Sequence, residues 1–135
     1  MNLAALAGGV LVAGLVVRGI RAHRLEASAW GYPAFLATFP AWYWGFALLA
    51  SDLAALWNEL LAGVVFIAIA RLAAWRRARA TLWLLAAGYV GHAGYDVLHD
   101  RLVANAGVPA WWPEFCGSVD VLLGLYVAWL AIRRV

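Results

Sequence analysis

The sequence contains no lysine, one cysteine (Cys116) and few charges: only 13% of its residues are charged. Each shortage excludes something. A lone cysteine forms no intramolecular disulfide and no thiolate metal cluster. A charged fraction about half the soluble norm, beside a hydrophobic fraction of 67%, excludes a disordered chain. It also excludes an ordinary water-soluble domain, which has no means of hiding so much apolar surface. The basic side of the net charge of +3 rests on arginine alone. With abundant Ala and Gly, this matches the codon bias of a high-GC bacterium. The arginines fall where membrane topology places them, so nucleic acid is not an expected partner.

What is present is a series of long apolar runs. A chain of 135 residues with a mean hydropathy of +0.83 is predicted to be all-α: a single polytopic transmembrane helical bundle over residues 1–135. Five spans are expected, at about residues 3–20, 29–50, 53–73, 81–98 and 113–132. The first does not read as a cleaved signal peptide, because Met1-Asn2 supplies no basic segment ahead of it. The second contains Pro33 and Pro40. Pro40 deprives the Leu36 carbonyl of its helical donor, which predicts a kink. Ser51-Asp52 is all that joins spans two and three, so these form a tight antiparallel hairpin, and either residue suits the N-cap of span three. The connection with room is the outer one, about residues 99–112, with Asp100 and Arg101 in it. Pro113 suits the first turn of span five.

The charge pattern sets a direction. Arg18, Arg21, Arg24, Arg71, Arg76, Arg77, Arg79, Arg133 and Arg134 share one side of a five-span threading, and only Arg101 lies on the other. The positive-inside rule then puts the N-terminus outside and the C-terminus in the cytoplasm, in a bacterial cytoplasmic (inner) membrane. Trp30, Trp75 and Trp129 fall at the inner interface and Trp111 and Trp112 at the outer one, as belt residues. Trp42, Trp44 and Trp57 lie deeper, where they either join the belt or line a pocket.

Six of the seven acids lie in the outer half or its loop. Asp52 reads as a cap, and Glu114 sits in a first helical turn, where the helix dipole favours a carboxylate. Glu59, His92 and Asp120 have no such explanation. Each is seven residues from the outer end of its span, about 10 Å deep at 1.5 Å per residue. Asp96 is one turn shallower. A charged Asp at a helix centre costs about 2.5–3.5 kcal/mol even on the mild insertion scale, so these groups are expected to face one another, an ion or water. His92, Asp96 and His99 fall within about 60° on one helical face, flanked by Tyr95. Cys116 lies one turn above Asp120 and Gly124 one turn below, while Gly63 lies one turn below Glu59. Span one offers no polar side chain between Asn2 and Arg18. It reads as peripheral, or as an oligomer contact through Gly8, Gly9 and Gly14.

Three chemistries fit this constellation. The first is one divalent metal, zinc or iron, held by Glu59, His92, Asp96 and Asp120. His99 stays outside, because a stripe of i, i+4 and i+7 residues is about 10 Å long. The second is an acid–base site, with Glu59 or Asp120 as the proton-accepting carboxylate. The third is a buried hydrogen-bond network locking spans three to five, with Asn58, Tyr95 and Ser118 as members. Alone, His99 reads as an interfacial histidine and Cys116 as a small buried residue.

The segments Gly91-His92-Ala93-Gly94-Tyr95-Asp96-Val97-Leu98-His99 and Pro109-Ala110-Trp111-Trp112-Pro113-Glu114-Phe115-Cys116, followed by Asp120, resemble a family of small bacterial multi-pass membrane proteins of unknown function. Tyr32-Pro33-Ala34-Phe35, Phe39-Pro40 and Glu59 are similar too, and the resemblance covers about residues 30–130. It implies no established activity and keeps the focus on Glu59, His92, Asp96, His99, Cys116 and Asp120. A more distant likeness is to membrane hydrolases related to alkaline ceramidase, which hold zinc among transmembrane helices with His and acidic residues. This chain departs from them, with five expected spans and no His-x3-His, so the likeness is one of site type.

The leading expectation is an integral membrane enzyme with an outer-leaflet site, acting on a lipid-like or apolar substrate. Loop 99–112, with Trp111 and Trp112, would cover its entrance. The alternatives are a proton- or ion-coupled small transporter and an accessory or assembly subunit. Thr38 and Thr81 are the main polar groups available to continue a path through the inner half, which favours the enzyme. Expected partners are the lipid bilayer, a lipid-like small molecule, and either a second copy or a larger membrane complex.

Overall fold

A computed structural model of the chain describes residues 1–76 and 79–133. Among these the protein is all-α. Its helices are α1 (Leu3–Ala22), α2 (Gly31–Leu49), α3 (Leu53–Arg76), α4 (Arg79–Leu102) and α5 (Trp112–Arg133), and a 3-10 turn at Leu25–Ala27 lies between α1 and α2. Three of them, α1, α3 and α5, are long and apolar enough to cross a membrane. α4 is as long as α3 but carries His92, Asp96 and His99, and α2 carries Pro40 and a run of Trp and Tyr. Arg77 and Arg134, two of the arginines that set the expected direction, lie outside the described residues.

Helix ends follow local chemistry. Asn2 Oδ1 accepts the Ala5 N–H at 3.0 Å and Asp52 Oδ1 accepts that of Ala55 at 2.8 Å, so both cap as N-cap side chains do. Between α2 and α3, Ser51 adopts a left-handed conformation with φ 55°. The Ser51 N–H reaches the Leu48 carbonyl at 3.0 Å and the Asp52 N–H reaches that of Ala47 at 2.9 Å. This paired closure reverses the chain in two residues, as the sequence predicted. α2 runs through Pro40 as one helix.

α5 is the centre of the packing, with α4 and α1 along it; α3 packs against both α2 and α4. Small residues set these approaches, since apolar side chains gain nothing from leaving lipid for one another. A methyl at Gly124 would lie 2.9 Å from Val90 Cγ2 and 3.2 Å from the Ala86 carbonyl, and one at Gly63 would lie 2.8 Å from Pro40 Cβ. Gly9 corrects an expectation. A methyl there would collide with the Ser118 hydroxyl and the Phe115 carbonyl, so Gly9 serves the α1–α5 contact inside the chain, whereas Gly14 has nothing within 4 Å. Ser118 accordingly bonds the Leu6 carbonyl at 3.1 Å and takes no part in a network among α3, α4 and α5.

The two ends of the bundle differ. At one, Glu26 accepts from the hydroxyls of Tyr126 (2.5 Å) and Tyr32 (3.3 Å), and Arg79 Nε donates to the Ala131 carbonyl at 2.9 Å. At the other lies the α4–α5 connection, residues 103–111. It is shorter than expected because α4 continues to Leu102, which puts Asp100 and Arg101 in the last helical turn. Trp112 is also corrected. It is 5% exposed, packed among Trp42, Phe46 and Phe115, and not a belt residue like its neighbour Trp111.

Candidate functional site

α4 carries His92, Asp96 and His99 on one buried stripe. The stripe meets different helices along its length, and this divides the polar layer into two clusters.

At His92 and Asp96 the stripe faces α5, where Cys116 and Asp120 stand one turn apart. His92 Nδ1 lies 2.8 Å from Asp120 Oδ2 and 3.5 Å from Asp96 Oδ1. Cys116 Sγ lies 3.9 Å from Asp120 Oδ2. One donor atom from each of His92, Asp96, Cys116 and Asp120 can be chosen so that all four lie within 4.8 Å of one another, and all four residues are buried. Tyr43 of α2 donates its hydroxyl to Asp96 Oδ1 at 2.6 Å. Phe66 and Phe39 pack on the His92 ring, with centroids 4.6 and 5.1 Å away. Two carboxylate oxygens, Asp96 Oδ2 and Asp120 Oδ1, are buried with no hydrogen-bond partner.

Two turns further along α4, His99 faces α3. Its Nε2 lies 2.7 Å from Glu59 Oε1. The same Glu59 oxygen accepts from Asn105 Nδ2 at 3.0 Å, and Glu59 Oε2 accepts from the Tyr95 hydroxyl at 2.6 Å. Both oxygens of Glu59 are therefore satisfied. The other His99 nitrogen lies 3.6 Å from Asp100, whose side chain is 92% exposed. The ring of Tyr43 stacks on that of His99 at 4.5 Å, so Tyr43 touches both clusters.

This geometry revises the expected ligand set. Glu59 pairs with His99 and not with His92, and Cys116 joins the group in its place. The cause lies in α4: the helix outruns the apolar segment by a turn, so His99 lies inside the bundle, where Glu59 reaches it. His99 is thus buried, not interfacial. Tyr95 belongs to the Glu59 cluster. Asn58 sits on the exposed face of α3 and joins neither. Two participants had no assigned role from sequence. Tyr43 had a readable signal, because it continues the stripe Leu36, Phe39, Tyr43, Ala47 on α2, and a hydroxyl on a buried stripe needs an acceptor. Asn105 had none. Asn-x-Gly reads as a turn, and its Oδ1 does accept the Gly107 N–H at 3.2 Å, while its amide reaches across to Glu59.

The first cluster suits a metal. A tetrahedral ion with bonds of about 2.0–2.3 Å holds its donors roughly 3.3–3.8 Å apart; three donor pairs here lie 2.8–3.9 Å apart and the whole set within 4.8 Å, so the widest spacing would contract by up to about 1 Å on binding. The donor set of one nitrogen, one sulfur and two carboxylates suits a borderline ion such as zinc or ferrous iron. The same two carboxylates each carry a second oxygen, Asp96 Oδ2 and Asp120 Oδ1, that is buried without a donor, at a cost of about 1–3 kcal/mol each.

No family model, curated protein or solved structure matches the chain.

Proposed function

We propose that the chain crosses a bacterial cytoplasmic membrane five times, with the N-terminus outside and the C-terminus in the cytoplasm. In this reading it is a metal-dependent enzyme whose zinc ion sits between α4 and α5. The observation that carries the proposal is the convergence of His92, Asp96, Cys116 and Asp120, with two carboxylate oxygens left without a donor. The direction rests on the arginines at the inner ends of α1, α3, α4 and α5.

Each residue has a chemical task. His92, Cys116 and Asp120 supply three donors from two helices that already pack closely. Asp96 would be the fourth donor, and the Tyr43 hydroxyl would orient its carboxylate by donating to Oδ1. Its carboxylate would also be placed to hold a proton beside the bound ion. Zinc supplies Lewis acidity and an activated water when bound. A site enclosed by membrane helices meets substrates that partition into lipid, so the substrate class is lipid-like.

The test is metal analysis of the detergent-purified chain beside topology labelling. About one zinc per chain is expected, and His92→Ala should remove it. Cysteines introduced as Ala110→Cys and Arg24→Cys should react with an impermeant reagent only from outside and only from inside, respectively. A metal-free wild type, or labelling of both sites from one side, contradicts the reading.

A further inference from the structure

α1 packs along α5 and α2 along α3, and side chains of α1, α2 and α5 line a groove of about 870 Å³ between them. Val16 of α1 and Phe35 and Trp42 of α2 form its walls. Trp112, Cys116 and Val119 of α5 form its floor. Its volume falls in the range of sites for small organic ligands, roughly 300–1,000 Å³.

Two residues tie the groove to the metal-binding cluster. Cys116 belongs to both. Phe39 also lines the groove, and its ring packs on that of His92 at 5.1 Å. The groove is therefore one residue thick from the site.

Its polar content is uneven. The Thr38 hydroxyl already donates to the Phe35 carbonyl at 2.7 Å, so it offers no free donor partway along. The indole N–H of Trp112, a floor residue, is buried and has no acceptor within the protein. This donor lies on the same floor as Cys116, one turn away along α5. From Trp112 to Val119 the floor runs about 10 Å at 1.5 Å per residue, and beyond Cys116 its lining is apolar.

From these features, and resting on the metal reading above, we infer that the groove binds the acyl chain of a membrane lipid, with the ester carbonyl at Trp112 and Cys116. The apolar length takes the chain. The indole N–H takes the carbonyl oxygen. Cys116 brings that carbonyl to the wall of the metal cluster. The carbonyl end lies toward the α4–α5 connection and the chain toward the bundle centre, which is the orientation of a lipid in the outer leaflet.

The test uses the full chain in lipid nanodiscs with a monoacyl phosphatidylcholine carrying a diazirine at mid-chain. After irradiation, labelled residues are mapped by mass spectrometry and zinc is measured on the same samples. Labelling is expected at Val16, Phe35 or Val119. Ala41→Trp, which fills the groove from its exposed wall, should cut it tenfold or more. Trp112→Phe keeps the ring and removes the donor, and should cut it about fivefold, the worth of about one hydrogen bond. Neither change should lower the zinc content, which also reports that the variants fold. Labelling spread over outward faces such as those of Leu11 and Leu61, indifferent to Ala41→Trp, would overturn the inference and leave the metal reading intact. Groove labelling in a chain that holds no zinc would overturn the metal reading and leave a lipid site.

Discussion

Two histidine–carboxylate clusters lie on one face of α4, centred on residues seven apart, and they are built to opposite rules. Around Glu59 every carboxylate oxygen has a donor: His99, Asn105 and Tyr95. Around Asp120 and Asp96 two buried oxygens have none. Burial of an acid among apolar helices is costly in both places. A cluster that answers the cost internally is a clamp, here joining α3, α4 and the α4–α5 connection. A cluster that leaves acceptors open has room for a ligand from outside the chain, which is where the proposed ion would sit. Burial does not distinguish the two clusters; donors to the carboxylate oxygens do, since the buried atom left without a partner beside Glu59 is a ring nitrogen, His99 Nδ1.

The sharpest way to break this comparison is to remove one acid from each cluster. Asp120→Asn should lower bound zinc from about one per chain to under a tenth, measured by elemental analysis, whereas Glu59→Gln should leave it unchanged. The reverse pattern would exchange the two roles. The next effect belongs to the clamp. Glu59→Gln breaks a buried pair, and stability should fall by about 3 kcal/mol, read from unfolding in one fixed detergent. Tyr43→Phe comes third. It removes the hydroxyl that holds Asp96 and should weaken zinc affinity about tenfold to a hundredfold in a competitive chelator titration, as losses next to a ligand do. The smallest effect is expected at Asn58→Ala, beside Glu59 in sequence but on the exposed face. It should change stability by less than about 0.5 kcal/mol and leave zinc in place.

How far sequence could reach follows from what each signal encodes. Apolar runs and caps report helix existence, and the ends came within a few residues where a cap marks them, as Asp52 does for α3. The end of α4 was missed because His99, Asp100 and Arg101 are polar and read as loop, while a partner on another helix buries His99. Depth along an axis was readable from residue counts, so Glu59, His92 and Asp120 stood out together. Which way each helix turns its face to which neighbour was not, and that separated Glu59 from His92. Neighbours on one helix point about 100° apart, which is why Asn58 faces outward beside Glu59 and why Trp111 is exposed beside buried Trp112. Cys116 and Asp120 share a face four residues apart, a spacing readable from the sequence. The weight of Cys116 in the site became clear only once α5 was seen against the His92 side of α4.

X-ray absorption at the zinc edge of the purified chain tests the central claim most directly. A site built from His92, Asp96, Cys116 and Asp120 should show one sulfur at about 2.3 Å with nitrogen and oxygen neighbours at about 2.0–2.2 Å. The sulfur shell should vanish in Cys116→Ser and persist in Glu59→Gln. Zinc with no sulfur neighbour in the wild-type protein, or a spectrum that changes with Glu59→Gln, would contradict it.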